Sequence, residues 1–212
     1  FLLSYPNGSQ KVFLPLLGEF NVENVLASIA SLWARVPNSS LLLTAVGALQ
    51  GAPGRMQKLS VKGKPLIVVD YAHTPDALSS AISALKVHSK GRVFCVFGCG
   101  GDRDRGKRPL MTKAALEEAD GVWLTSDNPR TENPSDIMSD ALIGVDLQAC
   151  KGRLWENVDR RKAIVDAVRC SRPDDVVLIA GKGHEAYQDV MGVKHFFDDL
   201  LEAQKALEHY AN

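Results

Sequence analysis

Between residues 66 and 180 short, unbroken apolar runs alternate with longer amphipathic stretches, and a layered α/β sheet is the fold that buries such a pattern. The runs are 66–70, 93–97, 122–125 and 176–180. Each is short and apolar throughout, as expected of a strand covered on both faces in a parallel sheet. The stretches at about 75–88, 109–119, 134–143 and 160–170 read as helices. Pro75, Pro109 and Pro134 open three of them, at the first helical position, where the missing N–H would have had no partner anyway. Thr74, Asn133 and Asp159 are candidate N-caps. A β-α-β-α series of this kind predicts a Rossmann-like, mostly parallel sheet with helices on both faces.

The first part of the chain reads differently. Apolar runs at 1–5 and 11–16 flank Pro6-Asn7-Gly8, which predicts a hairpin. A helix follows, with Asn21 as its cap and Leu26, Ile29, Ala30 and Trp33 on its apolar face; a second spans about 40–49. Gly51-Ala52-Pro53-Gly54 is the linker, so the expected division is 1–53, an incomplete piece, and 54–212, a whole domain.

Composition removes several functions. Lys and Arg together number 25, as do Asp and Glu, so no basic excess marks a nucleic-acid or anionic-membrane binder. No apolar run reaches the roughly 18 residues of a membrane span. Cys95, Cys99, Cys150 and Cys170 form no C-x-x-C pair and the histidines are not spaced to complete a zinc site, so free thiols in a reducing cytosol are expected and no metal ligand is assigned. The chain opens on Phe1 without a signal peptide, which reads as a cut inside a longer cytoplasmic protein.

In such sheets ligands sit beyond the carboxyl ends of the strands, so the loops at 70–74, 98–108, 126–131 and 181–187 matter most. The second contains Gly101 to Lys107 in G-x-x-x-x-G-K spacing, but Arg108 stands where a phosphate loop needs Ser or Thr for magnesium. Arg103 likewise occupies the third glycine position of a dinucleotide fingerprint. A glycine-shaped loop that presents its arginines to an anion fits better. Asp127-Asn128-Pro129-Arg130 gathers a carboxylate, an amide and a guanidinium, which complement an amino acid. Glycines at 181 and 183 admit a ligand to the backbone, and Glu185 can hold an ammonium. Asp70 can accept from ribose hydroxyls and Tyr71 can stack on a base, while His73 can equally be a satisfied loop residue.

The strings GEFNVENVLA, GRM, DYAHTPD, FGCGGDRDRGKRPLM, SDNPRTE and AGKGHE occur in this order from Gly18 onward. Together they resemble the bacterial Mur ligases, in particular the branch that adds meso-2,6-diaminopimelate to UDP-N-acetylmuramoyl-L-alanyl-D-glutamate in peptidoglycan biosynthesis. The resemblance implies an ATP-dependent ligase of three domains, of which this chain has the end of the central ATPase domain and the whole last domain. It implies that Arg103, Asp127, Asn128, Arg130, Gly181 and Glu185 hold diaminopimelate. Asn24, Arg55, Asp70, Tyr71 and His73 then match nucleotide positions, with Arg55 at phosphate and Asn24 at adenine. Mg2+ would be held mainly by the missing part, which also carries the Walker A loop, so no catalytic residue is assigned here and the chain alone is expected to be silent. A nicotinamide-dependent oxidoreductase and a non-catalytic amino-acid-binding module remain as alternatives.

Overall fold

The structure is a computed structural model that describes residues 1–5, 8–36 and 39–210. Two units separate in it, Phe1–Ala52 and Pro53–Asn212.

In the first unit β1 (Leu2–Tyr5) pairs antiparallel with β2 (Gly8–Lys11), and α1 (Glu19–Trp33) and α2 (Ser39–Gly47) follow. The hairpin is the expected one, but its second strand is not 11–16. Tyr5 lies opposite Gly8, so the second strand begins at Gly8 and is over at Lys11. Pro6 and Asn7, on which the turn expectation rests, lie outside the described residues. Asn21 is not a cap either: α1 begins at Glu19 after Gly18, and the Asn21 amide donates to the Leu17 carbonyl at 2.6 Å. Val12, Val25, Ile29, Leu43 and Val46 form a small core.

The second unit runs β3 (Gln57–Leu59), β4 (Leu66–Asp70), α3 (Pro75–His88), β5 (Val93–Cys99), α4 (Lys107–Glu118), β6 (Gly121–Ser126) and α5 (Pro134–Ala141). It continues with β7 (Leu154–Asn157), α6 (Arg160–Cys170), β8 (Val176–Ala180), β9 (Tyr187–Val190), β10 (Val193–Phe196) and α7 (Asp199–Glu208). The main sheet has the order β3-β4-β8-β5-β6-β7, parallel except for β3, while β9 and β10 form a separate hairpin. One face packs Ile67, Val69, Val96, Val177 and Ile179 against Ala163, Ile164 and Val168 of α6 and Ala203 and Leu207 of α7. Alternate residues such as Val68 and Phe97 point to the other face, where α3, α4 and α5 lie. The helices divide this way because β8, last of the parallel strands, returns to the slot between β4 and β5. Right-handed crossovers that run in opposite directions along a sheet put their helices on opposite faces.

Local chemistry fixes the helix starts. Thr74 accepts from the Ala77 N–H at 3.3 Å, Asn133 from Ser135 at 2.8 Å, and Asp159 from Lys162 at 3.2 Å. The start expected at Pro109 is wrong by two residues: α4 begins at Lys107 behind Gly106, which makes no side-chain cap. Proline is tolerated through the whole first turn, because none of those N–H groups has a helical partner.

Candidate active site

Four loops leave the carboxyl end of the sheet at one level. Asp70 of β4 pairs with Ala180 of β8, and Cys99 of β5 with Ser126 of β6. The slot filled by β8 is also where the chain changes direction along the sheet, the usual place for a crevice. A cleft of about 360 Å³ lies there, and its walls include Arg103, Asp127, Asn128, Arg130, Gly181 and Glu185, together with Tyr71 and His73.

The lining carries both signs of charge. Arg103 and Arg130 converge on Gly100, where a Cβ would stand 3.0 Å from Arg130 Nη1 and 3.4 Å from Arg103 Cγ. Neither arginine forms an ion pair among the described residues. Arg130 Nη1 donates instead to the Gly101 carbonyl at 2.7 Å. Both side chains line the cleft, and a guanidinium free of an ion pair is a good partner for a carboxylate.

The acids come from the next two loops. Asp127 is buried, and its Oδ1 accepts from the Asn128 N–H at 2.7 Å. Gly181, at φ 113°, lets the carboxylate lie close, since a Cβ there would run into Asp127 Oδ2. Burial pushes the Asp127 carboxyl pKa up, against the pull of Arg160 and Lys182. Asn128 ties this loop to the one after β8. Its Oδ1 accepts from Lys182 Nζ and from the Asp189 N–H, each at 3.0 Å, and its Nδ2 donates to Glu185 Oε2 at 2.8 Å. Those partners fix which way the amide points.

Lys182 is a residue the sequence reading passed over. It is fully buried, and burial lowers its pKa. Its only signal is its place between two glycines after a buried strand. The reading of the 98–108 loop also needs correction, because its arginines do not all face a ligand. Arg108, 2% exposed, pairs with Glu132 at 2.7 Å and Asp140 at 2.8 Å, and Arg105 pairs with Glu132 at 2.9 Å.

The residues expected at a nucleotide are arranged less simply. The Tyr71 ring has the Arg55 guanidinium 4.8 Å above it and the His73 and His184 rings at 4.7 and 5.6 Å. Its hydroxyl stands 3.5 Å from Glu185 Oε1. His73 Nδ1 lies 2.7 Å from the Tyr71 carbonyl, so Nδ1 carries the proton and Nε2 is the open nitrogen. Asp70 faces inward: its two oxygens accept from the Met56 and Ala72 N–H groups at 2.8 Å each. Asn24 is exposed on α1 of the first unit. Among the described residues no acidic, His or Cys cluster could hold a metal ion, and no helix is long and apolar enough to cross a membrane.

Residues 54–183 match the family described as Mur ligase, glutamate ligase domain. The chain belongs to the Mur ligase family. Its Mur ligase relatives include the UDP-N-acetylmuramoyl-L-alanyl-D-glutamate–2,6-diaminopimelate ligase of Pseudomonas syringae pv. tomato, 48% identical over 95% of this chain and 41% of that protein. The ligase of the same name from Neisseria meningitidis serogroup A is 50% identical over 95% of this chain and 40% of its own length. A solved structure of a ligase with that name superposes with a TM-score of 0.74 at 48% identity, covering 99% of this chain and 43% of that one. The chain therefore spans about two fifths of the length of the Mur ligases it matches.

Proposed function

We propose that this chain is the amino-acid-holding part of an ATP-dependent ligase that adds meso-2,6-diaminopimelate to UDP-N-acetylmuramoyl-L-alanyl-D-glutamate. The observation that carries the proposal is the pairing, in one cleft, of two arginines without ion-pair partners on Gly100 with the carboxylates of Asp127 and Glu185. Diaminopimelate has two carboxylates and two ammonium groups, and each finds its opposite here. Arg103 and Arg130 take carboxylate, Asp127 and Glu185 take ammonium, Gly181 leaves the space, and Asn128 orients Glu185. The 48–50% identity to ligases named for this substrate supports the same choice.

In this reading residues 1–53 are the end of the central ATP-binding domain and 54–212 the last domain of the ligase. Arg55, Tyr71 and His73 form the nucleotide side, with Asp70 bracing the turn between them through Met56 and Ala72. Asn24 rests on the family resemblance alone. ATP phosphorylates the glutamyl carboxylate, leaving ADP, and the amine of diaminopimelate attacks the acyl phosphate, forming the amide as inorganic phosphate leaves and the amine gives up a proton. The described residues contain no magnesium ligand set, so no step is assigned to that ion here. The chain's own contribution is to hold the nucleophile in place, which converts a two-body encounter into a local step.

Arg130→Ala tests the reading in the full-length protein that carries this chain. Lysine lacks the second carboxylate, so a site built on that contact should reject it by up to roughly 10⁴-fold. The substitution is expected to lower kcat/KM for diaminopimelate by at least roughly 10²-fold, about one charge-assisted pair, with little effect on KM for ATP. Unchanged relative use of diaminopimelate and lysine would remove Arg130 as the selector.

A further inference from the structure

The loops that carry Arg103 and Arg130 are tied together by side chains that do not belong to the proposed substrate contacts. Glu132 Oε1 accepts from the Asp102 N–H at 2.6 Å and from Arg108 Nη2 at 2.7 Å. Its Oε2 accepts from Arg105 Nη2 at 2.9 Å and Arg108 Nη1 at 3.0 Å. Asp102 returns the contact: its Oδ1 accepts from the Thr131 hydroxyl at 2.6 Å and its Oδ2 from the Thr131 N–H at 3.2 Å. Each loop thus grips the other beside the arginine it presents.

The backbone shows why a grip is needed. Asp102, next to Arg103, has φ 53°, and Arg130 itself has φ 51°. Non-glycine residues hold this left-handed conformation only where the surroundings over-determine it. Arg130 is also pinned from behind by β9 and the turn after it, through its N–H to the Asp189 carbonyl at 2.9 Å and its carbonyl to the Met191 N–H at 2.7 Å. Charge sorting follows from the same residues. Glu132 pairs with Arg105 and Arg108, leaving Arg103 and Arg130 as the two cleft arginines with no ion pair among the described residues.

We propose that Glu132, Thr131 and Asp102 form a clasp that positions Arg103 and Arg130 and thereby sets affinity and selectivity for an amino acid with a distal carboxylate. The inference rests on the reading of those arginines as substrate contacts. None of the three is a catalytic residue; they act through the guanidiniums.

The test is steady-state kinetics of the full-length protein carrying this chain, with diaminopimelate, lysine and ATP each varied. Glu132→Gln and Thr131→Val are expected to raise KM for diaminopimelate by roughly tenfold or more, the scale of losing a charge-assisted contact. They should narrow the preference over lysine and leave KM for ATP within about twofold. Thr131→Ser, which keeps the hydroxyl, should restore the parent values. Arg130→Ala, run alongside, separates the two ideas. If it raises KM while both clasp variants leave it unchanged, the clasp is overturned and the substrate reading stands. If it too changes nothing, the substrate reading falls and the clasp with it. A parallel rise in KM for ATP, or failure of Thr131→Ser to restore, reduces the network to general structural support and also overturns the inference.

Discussion

Asp127 pairs a proposed substrate contact with an energetic liability. Its carboxylate is buried with one backbone donor, and burial raises its pKa above the ordinary value. A carboxyl raised in the folded state favours folding most at low pH, and that advantage is lost as pH rises through the folded value. Ionising this carboxyl inside the fold therefore costs stability. Asp127→Asn keeps an oxygen for the Asn128 N–H and removes the charge. It is expected to raise Tm by roughly 2–4 °C, the scale of about 1 kcal/mol in a chain of this size, while weakening diaminopimelate binding. Differential scanning calorimetry at neutral pH checks this, and a lowered Tm would show that Arg160 and Lys182 already balance the charge. Residue chemistry of this kind was partly legible. Asp127, Arg130 and Glu185 follow buried strands, so their place on the cleft wall could be read from the strand pattern. Lys182 and Arg108 were not legible, because a buried lysine and a paired arginine look in sequence like any loop cation.

At the scale of elements, the clasp between the loops after β5 and β6 makes a pH-dependent claim. Hydrogen bonds from Arg108, then from the Asp102 N–H, hold the Glu132 carboxyl down to about 2. A depressed carboxyl contributes stability above its unfolded value, near 4.3 for glutamate, and loses it as pH falls through the folded value. The Tm gap between the parent chain and Glu132→Gln should be present at pH 6, shrink below about 4.3 and close near 2. A gap that stays constant over that range would mean that the charge is irrelevant. The strands at 66–70 and 176–180 and the helices at 75–88 and 160–170 were readable to the residue, since unbroken apolar runs and proline or aspartate starts leave few alternatives. The missed strands of the second unit share a cause. β3, β7 and β10 contain no fully buried residue, and β9 is only half-buried, so no apolar run announces them. α7 begins at Asp199, whose carboxylate is spent on the buried Arg160 at 2.7 Å, a partner far away in sequence.

At the scale of the whole molecule, the two units are built to very different standards. In Pro53–Asn212 the strands β5, β6 and β8 are buried at every residue. In Phe1–Ala52 every residue of β2 is exposed, and the core holds five buried apolar side chains among the described residues. A two-stranded hairpin is marginal by itself, and so small a core supplies little to support it. The boundary is also sharp in its hydrogen bonds. Residues 49–53 are exposed, whereas the Gly54 N–H donates to Gln57 Oε1 and the Met56 N–H to Asp70, each at 2.8 Å. Opening should therefore stop at Gly54. Limited proteolysis is expected to cut between Gln50 and Ala52 and to leave a resistant product that begins near Pro53, while the first unit is degraded. Hydrogen exchange should agree, with amides of α1 exchanging well before those of β5. A protease that enters first at the β9–β10 turn, or equal protection of α1 and β5, would mean that the first unit draws its stability from contacts beyond its own core.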